Sequence, residues 1–303
     1  MSLRLGVAVN PVAGGGRGNG VGEEVLKLLE ATGHQVINLS AESMISARDR
    51  IENAIYRGAI DAVVLVGGDG MAHLGANVCA GKNIPMALIP AGTGNDAAAV
   101  FGMPIADTGA CVELILENLS THKSIDAIKI THGIKSTWAI GSASAGFDAL
   151  AAARANSISW PKGPMRYYVA MLLELAKFKP IKYQSVIDGN SRDFEAMLCV
   201  VSNTGVFGGG MLIVPDASLT DGLLDVILVK KMSRLKFVAI FPKVYKGTHV
   251  TDKDVEILRA TNISITASGM PIYSDGEYVG QAPFYAEVVP GALKVIAPAI
   301  KGV

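Results

Sequence analysis

The run from Ala62 to Val66 constrains the fold more than any other stretch of this sequence. It is apolar throughout and rich in β-branched residues, which is typical of a strand buried on both faces of a parallel sheet. It ends abruptly in Gly67-Gly68-Asp69-Gly70, and a helical pattern follows from Met71 to Cys79. This order predicts that the glycine turn lies at the carboxyl edge of a sheet, where open α/β folds bind ligands.

The same alternation of strand and helix extends over the first third of the chain. Strands are predicted at Leu3 to Asn10, His34 to Leu39 and Pro85 to Ile89, with helices at Val21 to Thr32 and Ser46 to Tyr56. The order predicts a doubly wound, mostly parallel α/β domain over residues 1–124.

After residue 124 the pattern changes to alternating segments that are typical of antiparallel strands. Two helical stretches interrupt them, Met165 to Phe178 and Arg234 to Lys246, the second bent or ended near Pro242. We therefore expect residues 125–292 to form a β-rich second domain. The last segment, residues 293–303, is expected to pack back on the first domain.

Composition excludes several classes of protein. The 303 residues include 27 Lys+Arg and 27 Asp+Glu, whereas a dedicated nucleic-acid-binding protein carries a basic excess, so no nucleic-acid partner is expected. The three cysteines are widely spaced and give no zinc or disulfide pattern. No secretory signal is visible, and the longest apolar helical run falls far short of the ~20 residues that a membrane span needs. We expect a cytoplasmic protein without a transmembrane segment, and leave a homodimer open.

Two further loops share the character of the first glycine turn. Gly14 to Gly18 follows the first strand, and Gly92-Thr93-Gly94-Asn95-Asp96 follows the strand at Pro85. Glycines let the backbone approach a phosphate, and the helix that follows presents unpaired N–H groups. Carboxylates beside phosphates, Asp69 and Asp96, make sense as Mg²⁺ ligands. Taken singly, each loop is also explained by an Asx turn or a helix N-cap, but loops on successive strands meet at one edge, which favours a shared phosphate and metal site.

Neither a P-loop nor the glycine pattern of a Rossmann dinucleotide site is present. Instead, Asn10-Pro11 with its glycine turn, Gly67-Gly68-Asp69-Gly70 and the segment from Pro90 to Asp96 together resemble the catalytic domain of the diacylglycerol kinase family, which includes sphingosine and ceramide kinases. The resemblance continues, in the family's order, through Gly146-Phe147-Asp148-Ala149, Gly208-Gly209-Gly210-Met211, Pro215-Asp216-Ala217, Asp221-Gly222-Leu223-Leu224-Asp225 and Ser274-Asp275-Gly276-Glu277.

The likeness covers nearly the whole chain and is strongest to the bacterial soluble lipid kinases. It implies a nucleotide-binding α/β domain followed by a β-sandwich, as in NAD kinases, with the active site in the cleft between them. It also implies an enzyme that uses ATP and Mg²⁺ to phosphorylate the hydroxyl of diacylglycerol or a related lipid.

The resemblance assigns roles to individual residues. Asp275 is implied as the base that takes the proton from the lipid hydroxyl, Glu277 as a residue that helps to hold the metal, and Asp126 as a residue that orients groups in the cleft. Asp69 and Asp96 complete the catalytic set. A structural Mg²⁺ is implied at Asp221 with the carbonyls of Ser218 and Leu223. The implied nucleotide contacts are Asn10, Gly14, Ser40, Gly67, Gly68, Asp69, Gly70, Gly92, Thr93 and Asn95.

The residues by themselves leave simpler interpretations of two of these positions. Asp275-Gly276 strongly fits a type I′ hairpin turn, and Asp221-Gly222 also fits a plain turn, although the metal site is favoured there.

The sequence departs from the family pattern after the first glycine loop. Met71 stands where the family usually has Thr, and His73-Leu74 where it has Asn-Glu, so a hydroxyl and a carboxylate are lost. Two alternatives therefore stay open: a kinase of a soluble hydroxylated substrate such as NAD, and a non-catalytic nucleotide or lipid sensor. The motifs around Asp221 and Asp275 favour a lipid kinase.

A lipid acceptor would place the protein at a membrane surface, peripherally on its inner face. The predicted helix from Met165 to Phe178 carries apolar residues, with Trp160, Lys162 and Lys179 near its ends. A basic amphipathic helix can rest on an anionic membrane. Core packing of its apolar side explains the pattern equally well, so contact between this helix and the membrane is left open.

Overall fold

The computed structural model describes residues 2–160, 164–177, 179–298 and 300. Its strands are β1 Arg4–Val9, β2 Gln35–Asn38, β3 Ala62–Gly67, β4 Pro85–Pro90, β5 Lys123–His132, β6 Lys135–Ala139, β7 Ser142–Ser144, β8 Ile181–Ile187, β9 Asn190–Ser202, β10 Val206–Phe207, β11 Met211–Leu212, β12 Leu224–Lys230, β13 Val255–Ala260, β14 Asn262–Thr266, β15 Pro271–Ser274, β16 Glu277–Gln281 and β17 Phe284–Val295. Its α-helices are α1 Ala13–Glu30, α2 Met44–Tyr56, α3 Asp69–Cys79, α4 Asp96–Val100, α5 Thr108–Asn118, α6 Phe147–Ser157, α7 Pro164–Lys177 and α8 Arg234–Ile240, and 3₁₀ helices follow at Phe241–Lys246 and Thr248–Thr251.

The chain divides into two compact units, one running to Ala127 and resuming at Pro290, the other covering Ile128–Val289. The first unit is built on a parallel sheet in which β2, β1, β3 and β4 are neighbours, and the final residues of β17 pair in parallel with β4. All six residues of β3 are buried, as a continuous β-branched run on a central strand requires. Helix α1 packs beside α5, and α2 beside α3.

The second unit is rich in antiparallel strands. Strand β9 pairs with β7, β8 and β12, while β14 pairs with β8 and β15 with both β7 and β16. One core cluster along these strands contains Tyr183, Val226 and Phe284. A second cluster, around Phe147 and Met197, also takes in residues of α7 and α8. The predicted fold class, a mostly parallel α/β domain followed by a β-rich domain, is confirmed.

The structure differs from the sequence prediction mainly at helices. Helix α1 spans residues from Ala13 instead of Val21, but three glycines with left-handed φ of 58°, 75° and 103° interrupt it near its start, so the regular helix lies after this glycine turn. The helix start predicted at Asp96 is the start of α4, whereas helices α5 and α6 are absent from the sequence prediction. Helix α6 is rich in alanine and lacks a one-sided apolar pattern, the signal by which amphipathic helices are recognised. The expected helix end at Phe178, like Lys162, lies outside the described residues.

No helix in the described ranges is long and apolar enough to cross a bilayer.

Candidate active site

In the first unit, the loops that follow β3 and β4 touch at the carboxyl edge of the sheet. The N–H of Ala91 donates to the carbonyl of Gly67 at 2.8 Å. A Cβ added to Gly92 would lie 2.4 Å from the Cα of Gly68, a distance at which no side chain fits. Both glycines are therefore needed for the two loops to approach, and a small cavity lined in part by Gly68, Asp69 and Ala97 lies beside them.

Asp69 is the first residue of α3, and its carboxylate links the two loops. Its Oδ1 accepts the N–H of Ala97, at the start of α4, at 3.3 Å. Its Oδ2 would lie 2.6 Å from a Cβ on Gly94. A half-buried carboxylate at a helix start, beside glycine backbone, is suited to a divalent cation that also binds phosphate. The Mg²⁺ role stays a prediction for Asp69 and for Asp96, which lies in the first turn of α4.

Asn95 shapes the second loop through its side-chain amide. It is buried, with a left-handed φ of 59°. Its Oδ1 accepts the N–H of Gly92 at 2.8 Å, and its Nδ2 donates to the carbonyl of the same residue at 3.0 Å. Thr93, between them, is exposed. Both polar atoms of the Asn95 side chain therefore bind the backbone of its own loop. The nucleotide contact predicted for Asn95 stays a prediction.

The turn after β1 lies at the same edge. The N–H of Asn10 donates to the carbonyl of Val66 at 2.9 Å, and a Cβ on Gly14 would lie 2.3 Å from the carbonyl oxygen of Ala91. Arg17, which sequence reasoning did not assign, donates from Nη2 to the carbonyl of Gly92 at 2.7 Å. The sequence did contain a feature that pointed to Arg17, namely its place within a glycine turn. An exposed guanidinium beside such a turn is suited to bind phosphate.

Ser40 and Asp126 hold backbone groups of the first unit. Ser40, just after β2, accepts the N–H of Val9 on its Oγ at 3.0 Å. Asp126 is buried on β5, and its Oδ1 accepts the N–H of Gly291 at 2.9 Å. That hydrogen bond satisfies one oxygen of the buried carboxylate. The nucleotide role of Ser40 and the catalytic role of Asp126 stay predictions.

In the second unit, Asp275 lies in the two-residue turn between β15 and β16. Its φ is 48° and that of Gly276 is 83°, the left-handed pair that a type I′ hairpin requires. Glu277, the first residue of β16, is exposed and pairs in register with Ser274. The hairpin interpretation of Asp-Gly is therefore right about the backbone, and it leaves the role of the carboxylate to be explained.

That carboxylate is held by three consecutive backbone amides. The N–H of Ile140 donates to its Oδ2 at 2.9 Å, and the N–H groups of Gly141 and Ser142 donate to its Oδ1 at 2.9 and 3.0 Å. The N–H of Asp275 in turn donates to the carbonyl of Ser142 at 3.1 Å. Successive amides that converge on one carboxylate fix its direction and leave little rotational freedom, which is what a positioned proton acceptor needs.

Asp148, in the first turn of α6, is a buried carboxyl group to which the sequence assigned no role beyond the family motif. Neither of its oxygens makes a well-formed hydrogen bond within the described part of the chain. Burial raises its pKa to about 6, and the nearby Ser144 hydroxyl and the Ala149 amide offset part of the rise. Burial could not be read from the sequence, because the residue lies on an alanine-rich helix.

The loop predicted to bind a structural metal is contacted by a positively charged side chain, that of Arg259. Asp221 accepts the N–H of Leu223 on Oδ1 at 3.1 Å, and its Oδ2 lies 3.6 Å from Nη1 of Arg259. The same guanidinium contacts Asp225 Oδ1 at 3.2 Å and the carbonyl of Asp216 at 3.1 Å. Across the described ranges no three acidic, histidine or cysteine side chains cluster as a metal site. A hard cation at Asp221 would thus compete with Arg259, and the Mg²⁺ site with Ser218 and Leu223 stays a prediction.

Comparison with known proteins identifies the family. Residues 4–130 match the model of the diacylglycerol kinase catalytic domain, and residues 141–297 match the YegS C-terminal NAD kinase beta sandwich-like domain. A diacylglycerol kinase of Mycobacterium tuberculosis (strain ATCC 25618 / H37Rv) is 35% identical over 290 residues, which cover 95% of this chain and 93% of the relative. The chain belongs to the diacylglycerol kinase family. It is an enzyme of the lipid kinase class, and the resemblance stated from its motifs is confirmed.

More distant members of the diacylglycerol kinase family agree. A diacylglycerol kinase of Bacillus subtilis (strain 168) is 25% identical over 263 residues, 86% of this chain and 85% of the relative. The crystal structure of a diacylglycerol kinase from Bacillus anthracis str. Sterne superposes with a TM-score of 0.73 at 20% identity, covering 98% of each chain. At that identity the likeness concerns the fold alone.

Proposed function

We propose that this diacylglycerol kinase family member uses ATP and Mg²⁺ to phosphorylate the hydroxyl of diacylglycerol or a related lipid. The observation that carries the proposal is the Asp275 carboxylate, aimed by the amides of Ile140, Gly141 and Ser142. Phosphoryl transfer needs mainly positioning, charge neutralisation and a base at the nucleophile. A carboxylate fixed by backbone amides is suited to take the hydroxyl proton as the lipid oxygen attacks the γ-phosphate.

The first unit would supply the nucleotide site. The glycine loops around Gly68 and Gly92 let backbone N–H groups approach phosphates, and the guanidinium of Arg17 would balance their charge. Asp69 and Asp96 would hold Mg²⁺, which neutralises phosphate charge when bound. Glu277 would add a further carboxylate for metal binding in the second unit.

The departure at Met71 does not weaken this assignment. The Met71 side chain is 2% exposed, and a Cβ added to Gly67 would lie 2.4 Å from its Cγ. Met71 therefore packs beneath the glycine loop as a core residue. Its burial supports an intact nucleotide loop, while the Asp275 carboxylate held by three backbone amides is what favours an enzyme over a non-catalytic sensor.

Peripheral contact with a membrane is part of the proposal. On α7, Ala170 and Leu175 are buried, whereas Met165, Leu172 and Leu173 are 58%, 56% and 48% exposed. Core packing thus accounts for one side of the helix only. Exposed leucines on a helix with basic residues are suited to the surface of an anionic bilayer, where the lipid substrate lies.

Labelled ATP and three acceptors test the proposal. We expect Mg²⁺-dependent transfer to diacylglycerol or a sphingoid base presented in phosphatidylglycerol-containing vesicles, and none after chelation with EDTA. Transfer to NAD alone would support a kinase of a soluble substrate. Nucleotide binding without transfer to any acceptor would support a sensor, and either result would contradict the proposal.

A further inference from the structure

The backbone segment that holds Asp275 is itself held from its other side by a buried residue. Asn203 follows directly after β9 and has no exposed surface. Its Nδ2 donates to the carbonyl of Ile140 at 3.1 Å, and its backbone N–H donates to the carbonyl of Gly141 at 2.8 Å. Ile140 and Gly141 are also two of the residues whose amides bind the Asp275 carboxylate.

The contacts on the two sides belong to the same peptide units. In the unit that joins Ile140 and Gly141, the carbonyl accepts from Asn203 Nδ2, and the N–H donates to Asp275 Oδ1. In the next unit, the Gly141 carbonyl accepts the Asn203 N–H, and the Ser142 N–H donates to the same oxygen. A trans peptide is planar, with its C=O and N–H pointing in opposite directions. Fixing each carbonyl therefore fixes the direction of the N–H that reaches Asp275.

Space around this segment is also filled. A Cβ on Gly141 would lie 2.9 Å from Asp275 Oδ1 and 3.4 Å from Thr204 Oγ1. The amides and the carboxylate thus meet without a side chain between them, and Gly141 has no side chain of its own to hold the two peptide units in place. The direction of the N–H groups depends on the hydrogen bonds behind them.

We propose that Asn203 is a positioning residue for Asp275, acting through the peptide units on either side of Gly141. The inference rests on the proposed function, in which Asp275 is the base. Without the Asn203 side chain, the Ile140 carbonyl would be buried without its donor, and the peptide unit would be free to tilt. Asp275 would then be misdirected, whereas the nucleotide site in the first unit would be unaffected.

A double-mutant cycle tests the proposal on the full chain, with lipid vesicles as acceptor. We expect Asn203→Ala to lower kcat on the order of 10²-fold, as misplacement of a reacting group does, with the KM for ATP unchanged. In the Asp275→Asn background the same substitution should change kcat by less than about twofold, because residues that act as a unit are not additive. If Asn203→Ala does not fold, Asn203→Ser, which keeps a shorter donor, serves in the same cycle.

Ser185→Ala is the matched control. Ser185 is buried in the same unit and donates a comparable hydrogen bond, to the Arg192 carbonyl at 2.6 Å. We expect it to lower the melting temperature but leave kcat unchanged. Independent, multiplicative effects of the Asn203 and Asp275 substitutions, or a kcat for Asn203→Ala equal to that of the control, would overturn the positioning role. A fully active Asp275→Asn enzyme would instead overturn the base assignment on which it rests.

Discussion

Asp275 combines a turn residue and a carboxylate that the surrounding backbone binds. The left-handed φ of 48° is tolerated by Asp and Asn better than by other side chains, which explains the residue class at this turn. The three amides of residues 140–142 explain why a carboxylate is suited to the position, since it offers acceptors to all of them. The turn and the proposed chemistry therefore use different atoms of one residue.

We expect Asp275→Asn to lower lipid phosphorylation by about 10²–10⁴-fold, the usual cost of losing a positioned general base. Asp188→Asn is its matched control. Asp188 also has a left-handed φ, 45°, before a glycine, and its carboxylate accepts the N–H groups of Thr261 and Asn262. Turnover with saturating lipid and the melting temperature are measured for both variants. Equal turnover in the two would leave Asp275 with its hairpin role only.

A second prediction concerns Asp148 and the dependence of stability on pH. Its pKa in the folded protein is about 6 against an ordinary 3.8, so the folded state binds the proton more tightly than the unfolded state. The contribution of Asp148 to stability should therefore fall as pH rises from about 4 to about 6 and stay level above that. Asp148→Asn should remove this fall, gaining up to about 3 kcal/mol relative to wild type at neutral pH. Urea unfolding at pH 4 and pH 7.5 measures it, and parallel pH profiles of the two proteins would contradict it.

Among the secondary-structure elements, β13 brings a charged side chain onto carboxylates of the loop that is expected to bind a metal, before β12. Arg259 on β13 contacts both Asp221 and Asp225, and burial raises the pKa of Asp225 despite this contact. A guanidinium and a divalent cation would neutralise the same carboxylates, so their effects on stability should be linked.

Thermal unfolding in a Mg²⁺ titration separates the two cations. If Mg²⁺ binds this loop, it raises the melting temperature of the wild type by mass action. Arg259→Met should increase that rise by removing the competitor, and Asp221→Ala should abolish it. The titration is run without nucleotide, and only the part of the rise that Asp221→Ala abolishes is assigned to this loop. If added Mg²⁺ changes the melting temperature of neither the wild type nor Arg259→Met, a metal at this loop is excluded.

At the scale of the whole molecule, the proposed chemistry is divided between two units of different architecture. The parallel sheet of the first unit gathers three glycine loops at one edge, and the antiparallel second unit carries the carboxylate on a hairpin. A lipid kinase of this kind also has to reach a substrate that resides in a bilayer. The exposed leucines of α7 give the second unit a surface suited to that contact.

We expect the double substitution Leu172→Gln and Leu173→Gln to lower phosphorylation of long-chain diacylglycerol in anionic vesicles at least about tenfold, because apolar burial in the bilayer is lost. Activity on a short-chain, water-soluble diacylglycerol should be retained. Ile134→Gln, at a fully exposed apolar residue of the β5–β6 turn, is the matched control. A parallel loss on both substrates would indicate damage to the fold, and no loss on vesicles would remove α7 from the membrane contact.

Several features of the fold could be predicted from local pattern alone. The buried run of β3 and its glycine turn predicted a parallel sheet with a ligand edge, and Asp-Gly predicted the type I′ hairpin, because periodicity and turn chemistry act over a few residues. The order of motifs along the chain indicated the family. These predictions needed no knowledge of which distant residues meet.

The contacts that complete these features join residues that are far apart in the chain, and they could not be predicted from local pattern. The amides that bind Asp275 lie 133–135 positions earlier in the chain, and Asn203 contacts the same peptide units from just beyond the end of β9. The burial of Asp148 and the contact of Arg259 with Asp221 arise in the same way. Such contacts are set by strand pairing and packing of the whole chain, which leave no periodic trace in the local sequence.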